Sequence, residues 1–314
     1  MSKVVALGGG HGLAAVLSAL REITSEITAI VTVADNGGSS GRLREEFPIF
    51  PPGDLRMALA ALCADDEWGR TWADIMQLRF VSDGALNGHA MGNLLLASLW
   101  SQDQDPVIGL DRVGSLLKVI GRVLPMAAVP LEIEASFITS TGRILIRGQK
   151  EVATARGRIE SLRLIPENPP ARSEALTAIR EADWITMGPG SWFSSVMPHL
   201  LVPMQLDALV RTTAKKIMIL NLDAHANTSG DEFAGSTPEE HLEFFARYAQ
   251  ELKIDYFLVD TCVVRDEPAL AAIARKLGGQ VVAVDIRKAP GSVHHDVTRL
   301  ALHLGHIMRQ SLVG

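Results

Sequence analysis

Short apolar runs alternate with helix-spaced segments along nearly the whole chain, and that alternation restricts the fold more than any other feature. Val4–Leu7, Ile27–Val33, Trp184–Met187, Ile217–Leu220, Tyr256–Asp260 and Val281–Val284 read as buried strands. Leu13–Glu22, Arg172–Glu181, Met204–Thr213, Pro238–Glu251, Pro268–Leu277 and Asp296–Arg309 read as helices between them. Strands alternating with helices predict an α/β fold with a mostly parallel, doubly wound sheet. Thr237-Pro-Glu-Glu240 is a capping box with proline in the first turn, which marks a helix start.

Two stretches depart from the pattern. Gly53–Leu117 carries three or four helical segments and no clear strand, so it reads as a helical insertion. Leu131–Leu164 has period-two character, with a turn signal at Ser140-Thr-Gly142, and reads as a small antiparallel β unit.

Glycine-rich loops follow three of the strands. Gly8-Gly9-Gly10-His11-Gly12 lies between the first strand and the first helix, and Gly10, Gly12 and Ala15 fit the GxGxxA form of the dinucleotide fingerprint. Glycine lets the backbone approach a pyrophosphate, and a helix N-terminus offers N–H groups to an anion. No GxxxxGK[ST] is present, which argues against an ATPase loop. Asp35-Asn36-Gly37-Gly38-Ser39-Ser40-Gly41-Arg42 follows the second strand. Asp35 falls where an acid meets a ribose in dinucleotide folds. The hydroxyls and Arg42 also suit an anion or a sugar, and Asp35 suits Mg2+. Gly188-Pro189-Gly190-Ser191 follows WITM, with Ser191 placed either to cap a helix or to hold an anion. A parallel sheet brings all three loops to one edge, which implies a ligand with several polar groups.

Further polar groups cluster near these loops. Asp54, in Pro51–Arg56, suits a helix cap or a ligand contact. Asn87, His89 and Asn93 flank an apolar helix. Asn221 and Asp223 end the strand IMILNL, and Arg287 follows the last strand. His294-His295-Asp296 reads as surface or helix cap, because neighbouring residues on a helix do not converge. Trp68 and Trp72 read as core or interface. Asp35, Asp54 and His89 are the candidates for acid–base or metal chemistry. The local motifs of serine hydrolases and zinc peptidases are missing.

A net charge of −6 with no long basic run argues against nucleic acid as the main partner. Two widely spaced cysteines, Cys63 and Cys262, fit a reducing compartment and argue against structural zinc. No apolar run reaches membrane-spanning length, and the first residues lack a signal-peptide pattern. The expectation is a soluble cytoplasmic protein with no membrane insertion.

The ordered set GGGHG, TVADNGGSSGRLR, PPGDLR, GHAMGNLLL, VLP and GPGSWFSSVMPHLLV resembles the gluconeogenesis factor (YvcK-like) family, within the 2-phospho-L-lactate transferase (CofD-like) superfamily. The resemblance covers nearly the whole chain. It implies one Rossmann-like three-layer domain over 1–314, with a helical insertion at about 53–117 and a small β unit at about 122–165. It implies a nucleotide or nucleotide-sugar ligand of the UDP-N-acetylglucosamine type, and a role in carbon metabolism, cell shape and cell wall during gluconeogenic growth. The site it implies comprises Gly8, Gly9, Gly10, His11, Gly12, Asp35, Asn36, Gly37, Gly38, Ser39, Ser40, Arg42, His89, Asn93, Gly188, Gly190, Ser191 and Asn221. No settled reaction attaches to this branch. The transferase branch moves a phospholactyl group, with magnesium held by an acidic loop matching Asp35-Asn36. A magnesium-dependent phosphotransferase is the alternative function, and an NAD-binding oxidoreductase a further one. Two features depart from the family: Asn36 where a second aspartate is usual, which weakens a Mg2+ site, and the loosely matching Asn221–Ala234 stretch. A homodimer through the β unit or the tryptophans is a further expectation.

Overall fold

The structure, a computed structural model, describes residues 1–102, 105–140, 142–222 and 237–310. Its centre is a parallel sheet built from β1 (Val4–Gly8), β2 (Ile27–Val31), β3 (Arg122–Pro125), β7 (Trp184–Met187), β8 (Lys215–Ile219), β9 (Tyr256–Asp260) and β10 (Gln280–Val284). The order across the sheet is β10-β9-β8-β7-β1-β2-β3. Every residue of β1 is buried. A strand covered on both faces has no solvent face to alternate with, which is why VVALG reads as a continuous apolar run.

The chain winds outward from β1 in both directions. β2 and β3 extend one side, while β7 to β10 extend the other. Val4 is in register with Ile27 on one side and with Trp184 on the other. The β1–β7 boundary is therefore the switch point, the place where open α/β sheets form a crevice at their carboxyl edge.

Helix α1 (Gly10–Arg21) follows β1 and packs on α3 (Pro52–Ala61) and on α12 (Val297–Gln310). The helical segment between β2 and β3 contains α2 (Gly38–Glu46), α3, α4 (Glu67–Gln77), α5 (Met91–Trp100) and α6 (Pro106–Leu117). It thus begins earlier than expected, at Gly38. Asp66 and Asp105 cap α4 and α6 by accepting from Gly69 N and Val107 N, which satisfies N–H groups left open at a helix start.

The antiparallel unit contains β4 (Glu132–Thr139), β5 (Gly142–Arg147), α7 (Gln149–Thr154) and β6 (Arg158–Ile165), with sheet order β5-β4-β6. Arg122–Pro125 does not belong to this unit: as β3 it pairs in parallel with β2. Four residues carry too little periodicity to distinguish a buried parallel strand from the start of a hairpin.

After β7, Trp192–Val196 forms a π-helical turn and Met197–Leu200 a 3-10 turn. α8 (Ser173–Glu181), α9 (Pro203–Arg211), α10 (Pro238–Tyr248) and α11 (Glu267–Lys276) complete the layers. The capping box closes in α10: Glu240 N donates to Thr237 Oγ1 at 3.3 Å, and Thr237 N to Glu240 Oε2 at 3.0 Å. Among the described residues, no helix is long and apolar enough to cross a membrane.

Candidate functional site

The first glycine loop is shaped by its neighbours. A Cβ on Gly9 would fall 2.4 Å from both Asp54 Oδ2 and Thr32 Oγ1. A Cβ on Gly12 would fall 2.2 Å from the Pro189 carbonyl oxygen. Gly10 has φ of +60°, a conformation costly for residues with a side chain. Beneath the loop, buried His199 Nε2 lies 3.4 Å from Gly8 O and its Nδ1 lies 2.8 Å from Gln205 Nε2. That network assigns the ring proton to Nε2. Burial lowers the His199 pKa to about 4, so the ring is neutral. Helix α1 starts here without a side-chain cap and without an acid in its first turn, as an anion-binding helix start requires.

The third loop lies directly against the first. Gly188 and Gly190 have φ of +70° and +139°. Asn221 clamps Gly190 from both sides: its Oδ1 accepts from Gly190 N and its Nδ2 donates to Gly190 O, each at 2.8 Å. Ser191 is an N-cap whose Oγ accepts from Ser194 N at 3.2 Å. Asn221 and Ser191 therefore both shape the loop through its backbone. Asp223 lies outside the described residues, as does nearly all of the loosely matching stretch.

The second loop has a more divided role. Asp35 Oδ1 accepts from Gly37 N at 2.8 Å, an Asx turn that leads into α2. Gly37 is the α2 N-cap and has no side-chain cap bond, and exposed Gly38 has φ of +48°. Ser39 and Ser40 are buried. Ser39 Oγ lies 3.0 Å from His89 Nδ1 and accepts from Asn93 Nδ2 at 3.0 Å, while Ser40 Oγ accepts from Gly53 N at 3.0 Å. Ser39, Ser40, His89 and Asn93 thus form a buried support under the loop. Arg42 spends its guanidinium on the carbonyls of Ala85 and Asn87, at 3.3 and 2.8 Å. Asn36 reaches the antiparallel unit: its Nδ2 donates to Glu151 Oε2 at 2.8 Å and its Oδ1 accepts from Lys150 N at 3.0 Å.

Asp54 occupies the first turn of α3, deep in the cleft but with part of its surface still open. It accepts from Thr32 Oγ1 at 3.2 Å and from the Gly10 backbone. Burial first, and the nearby Asp35 carboxylate second, push its pKa up to about 7. Two residues on, buried Arg56 donates from Nε to Asn93 Oδ1 at 2.9 Å and also bonds Gln77. Burial, then the like charge of Arg79, lower Arg56 to about 10. His11 is also lowered, first by partial burial and then by His294, Arg56 and Arg79. Asp54, Arg56 and His11 thus lie close enough for the Arg56 charge to act on both of the others.

The surface reading of His294-His295-Asp296 holds for two of the three. Asp296 caps α12 by accepting from Arg299 N at 2.9 Å, and His294 is exposed. His295 is different: its ring is packed near Asp260 and Arg287, and burial first lowers its pKa to about 4. Its Nε2 is buried without a partner. The antiparallel bridge Arg287↔His295 folds this segment back on itself, which helical spacing did not anticipate. Trp68 and Trp72 pack together at 5.7 Å, with Lys118 over Trp68.

Among the described residues, no group of three or more His, Cys, Asp or Glu side chains gathers as a metal cage. Asp35 with Asp54 supplies at most two carboxylates, and Asn36 is turned away toward α7. Mg2+ is commonly held by one or two carboxylates together with substrate phosphates. The donor set therefore fits a phosphate-borne ion and not one caged by protein alone. Sequence reading missed Thr32, His199, Gln205 and Arg44, which donates to Asp35 O at 3.0 Å and Leu131 O at 3.3 Å. All four act through backbone or buried contacts that no local motif announces.

Comparison with known proteins agrees with this architecture. The family model described as 2-phospho-L-lactate transferase CofD matches residues 4–299. A putative gluconeogenesis factor of Mycobacterium leprae is 48% identical over 308 residues, covering 96% of this chain and 84% of that protein. The gluconeogenesis factor of Halalkalibacterium halodurans is 37% identical over 273 residues, covering 87% and 80%. A crystal structure of a UPF0052 family member from Bacillus halodurans superposes with a TM-score of 0.82 at 31% identity, covering 97% of this chain and 99% of that one. The chain therefore belongs to the gluconeogenesis factor family, within the wider group matched by the CofD model.

Proposed function

We propose that this protein binds a nucleotide sugar of the UDP-N-acetylglucosamine type in the crevice at the β1–β7 boundary, and reports its level to carbon metabolism and cell-wall growth in the cytoplasm. One observation supports this most: the first and third glycine loops touch, with Gly12 against Pro189–Gly190, at an uncapped helix start. Such a surface grips a diphosphate through backbone N–H groups. Asp54, whose pKa is raised to about 7 by burial and by Asp35, holds its proton more readily than an ordinary carboxylate and so repels an anion less. The guanidinium groups of Arg56 and Arg79, which keep His11 in its neutral form, add attraction. A ligand that binds one conformation of the loops better than another shifts their population, which is enough for a regulatory readout. Thermal melting against UDP-N-acetylglucosamine, UDP, GDP and NAD tests this: the UDP-sugar stabilises the fold most, and equal shifts for all four would remove the assignment.

A second reading, a magnesium-dependent phosphotransferase, draws on the Asp35–Asp54 pair. There a phosphate-bound Mg2+ would rest on Asp35 and supply charge neutralisation at the phosphoryl group. Asp35→Ala would then abolish Mg2+-dependent turnover, whereas under the binding reading it only weakens affinity.

A further inference from the structure

The three-stranded sheet ends on β5, whose outer edge pairs with no strand among the described residues. One hydrogen bond shows which backbone groups face out. Gly148 N donates to Ile133 O at 2.8 Å, so Gly148 and Ile133 form a hydrogen-bonded pair. Such pairs alternate with non-bonded ones along an antiparallel ladder. The register runs Glu134↔Arg147, Ala135↔Ile146, Ser136↔Leu145, Phe137↔Ile144, Ile138↔Arg143. Ile146 and Ile144 therefore bond inward to β4. Arg143, Leu145 and Arg147 turn their N–H and C=O groups outward.

That edge reads Arg143-Ile144-Leu145-Ile146-Arg147, the same in both directions. A two-fold interface must match a surface to itself. Antiparallel pairing centred on Leu145 does so: Leu145 meets its own symmetry mate, and the outward groups of Arg143 meet those of the second copy's Arg147. Leu145 is 63% exposed and Ile144 39%. Natural edges are usually blunted by proline, bulges or charge. β5 has no proline, and its two arginines are already neutralised within the chain, Arg143 by Glu160 and Arg147 by Glu132, each at 2.5 Å. Apposing them therefore does not stack free like charges.

We propose that two copies of this chain associate through β5, antiparallel and centred on Leu145, joining their small sheets into one continuous sheet. A single strand pairing buries less than the roughly 1,000 Å² of a durable interface, so the association is reversible. It also reaches the glycine loops: β5 runs through Gly148 into α7, whose Glu151 and Lys150 hold Asn36.

Sedimentation velocity across a concentration series tests the association. The wild type shows a reversible monomer–dimer equilibrium. Leu145→Arg, which places two unpaired charges on the symmetry axis while leaving every β4 bond intact, raises the dimer Kd at least tenfold. A cross-link tests the register and covers the case of a variant that folds poorly. Bonded antiparallel pairs have Cα atoms about 5.5 Å apart, inside the disulfide range. In a Cys262→Ser background, Leu145→Cys forms an intermolecular disulfide on mild oxidation, and Ile144→Cys, offset from its own mate, does not. A wild type that stays monomeric at every concentration, or equal cross-linking at both positions, overturns the proposal.

Discussion

Gly12 and Pro189 are in backbone contact: the Cβ that Gly12 lacks would fall 2.2 Å from the Pro189 carbonyl oxygen. The loops after β1 and β7 meet only because this position has no side chain. Gly12→Ala must push them apart. Overpacking of this kind costs about 1–3 kcal/mol, and we expect urea unfolding to show a loss in that range. Nucleotide affinity should fall further than stability does, by at least tenfold, because in the proposed binding mode the displaced groups grip the ligand.

Asn221 makes a paired prediction. It satisfies both polar groups of Gly190 at 2.8 Å. Asn221→Ala leaves them without their partners, at a cost of about 1–3 kcal/mol each if both stay buried. Asn221→Asp keeps the acceptor for Gly190 N but places a carboxylate oxygen against Gly190 O. Denaturant melts should rank wild type above both variants, with weaker ligand binding in each.

Stability should respond to pH in two opposing ways. Asp54 has its folded pKa raised to about 7 from 3.8. The folded state therefore holds a proton that the unfolded state has lost, and stability present below pH 3.8 is lost as pH rises to about 7. His199, His241 and His295 are lowered to about 4 from 6.5. Their stability is present above pH 6.5 and is lost as pH falls toward 4. Three histidines outweigh one aspartate, so wild type weakens in acid. Asp54→Asn isolates the opposing part: relative to wild type it should gain stability between pH 4 and pH 7, with a plateau above. Unfolding free energies across that range check the sign.

Asn36 ties the second glycine loop to the antiparallel unit through Glu151 and Lys150. Asn36→Asp adds a carboxylate next to Asp35 but sets it against Glu151. We expect a loss of about 1 kcal/mol, the worth of one hydrogen bond, relieved by the double change with Glu151→Gln. Mg2+ binding followed by calorimetry should be unchanged in the double variant, because residue 36 stays turned toward α7. An unchanged melting curve for Asn36→Asp would show that the loop does not depend on this clasp.

The sheet was legible because its strands are buried on both faces, and the glycine loops because they follow those strands directly. Roles within the loops were harder to read. Ser39, Ser40, His89 and Asn93 look like ligand groups in sequence, yet Ser39 bonds His89 and Asn93, and Ser40 accepts from the Gly53 backbone. A hydroxyl or amide carries no sign of whether it faces a cleft or a core. His295 misled for a related reason: its packing depends on the Arg287↔His295 bridge, a contact between segments that helical spacing cannot express. β3 was lost to its shortness, and α2 to glycines that hid a helix start inside an apparent loop.

In the binding mode proposed above, the glycine loops hold a nucleotide sugar without needing a metal. Calorimetric titration of the protein with UDP-N-acetylglucosamine, with and without Mg2+ and beside NAD and GDP, tests it most directly. We expect saturable UDP-sugar binding that Mg2+ leaves unchanged, and none for NAD. Absence of UDP-sugar binding, with Mg2+-dependent binding of GDP in its place, would contradict it and favour the phosphotransferase reading.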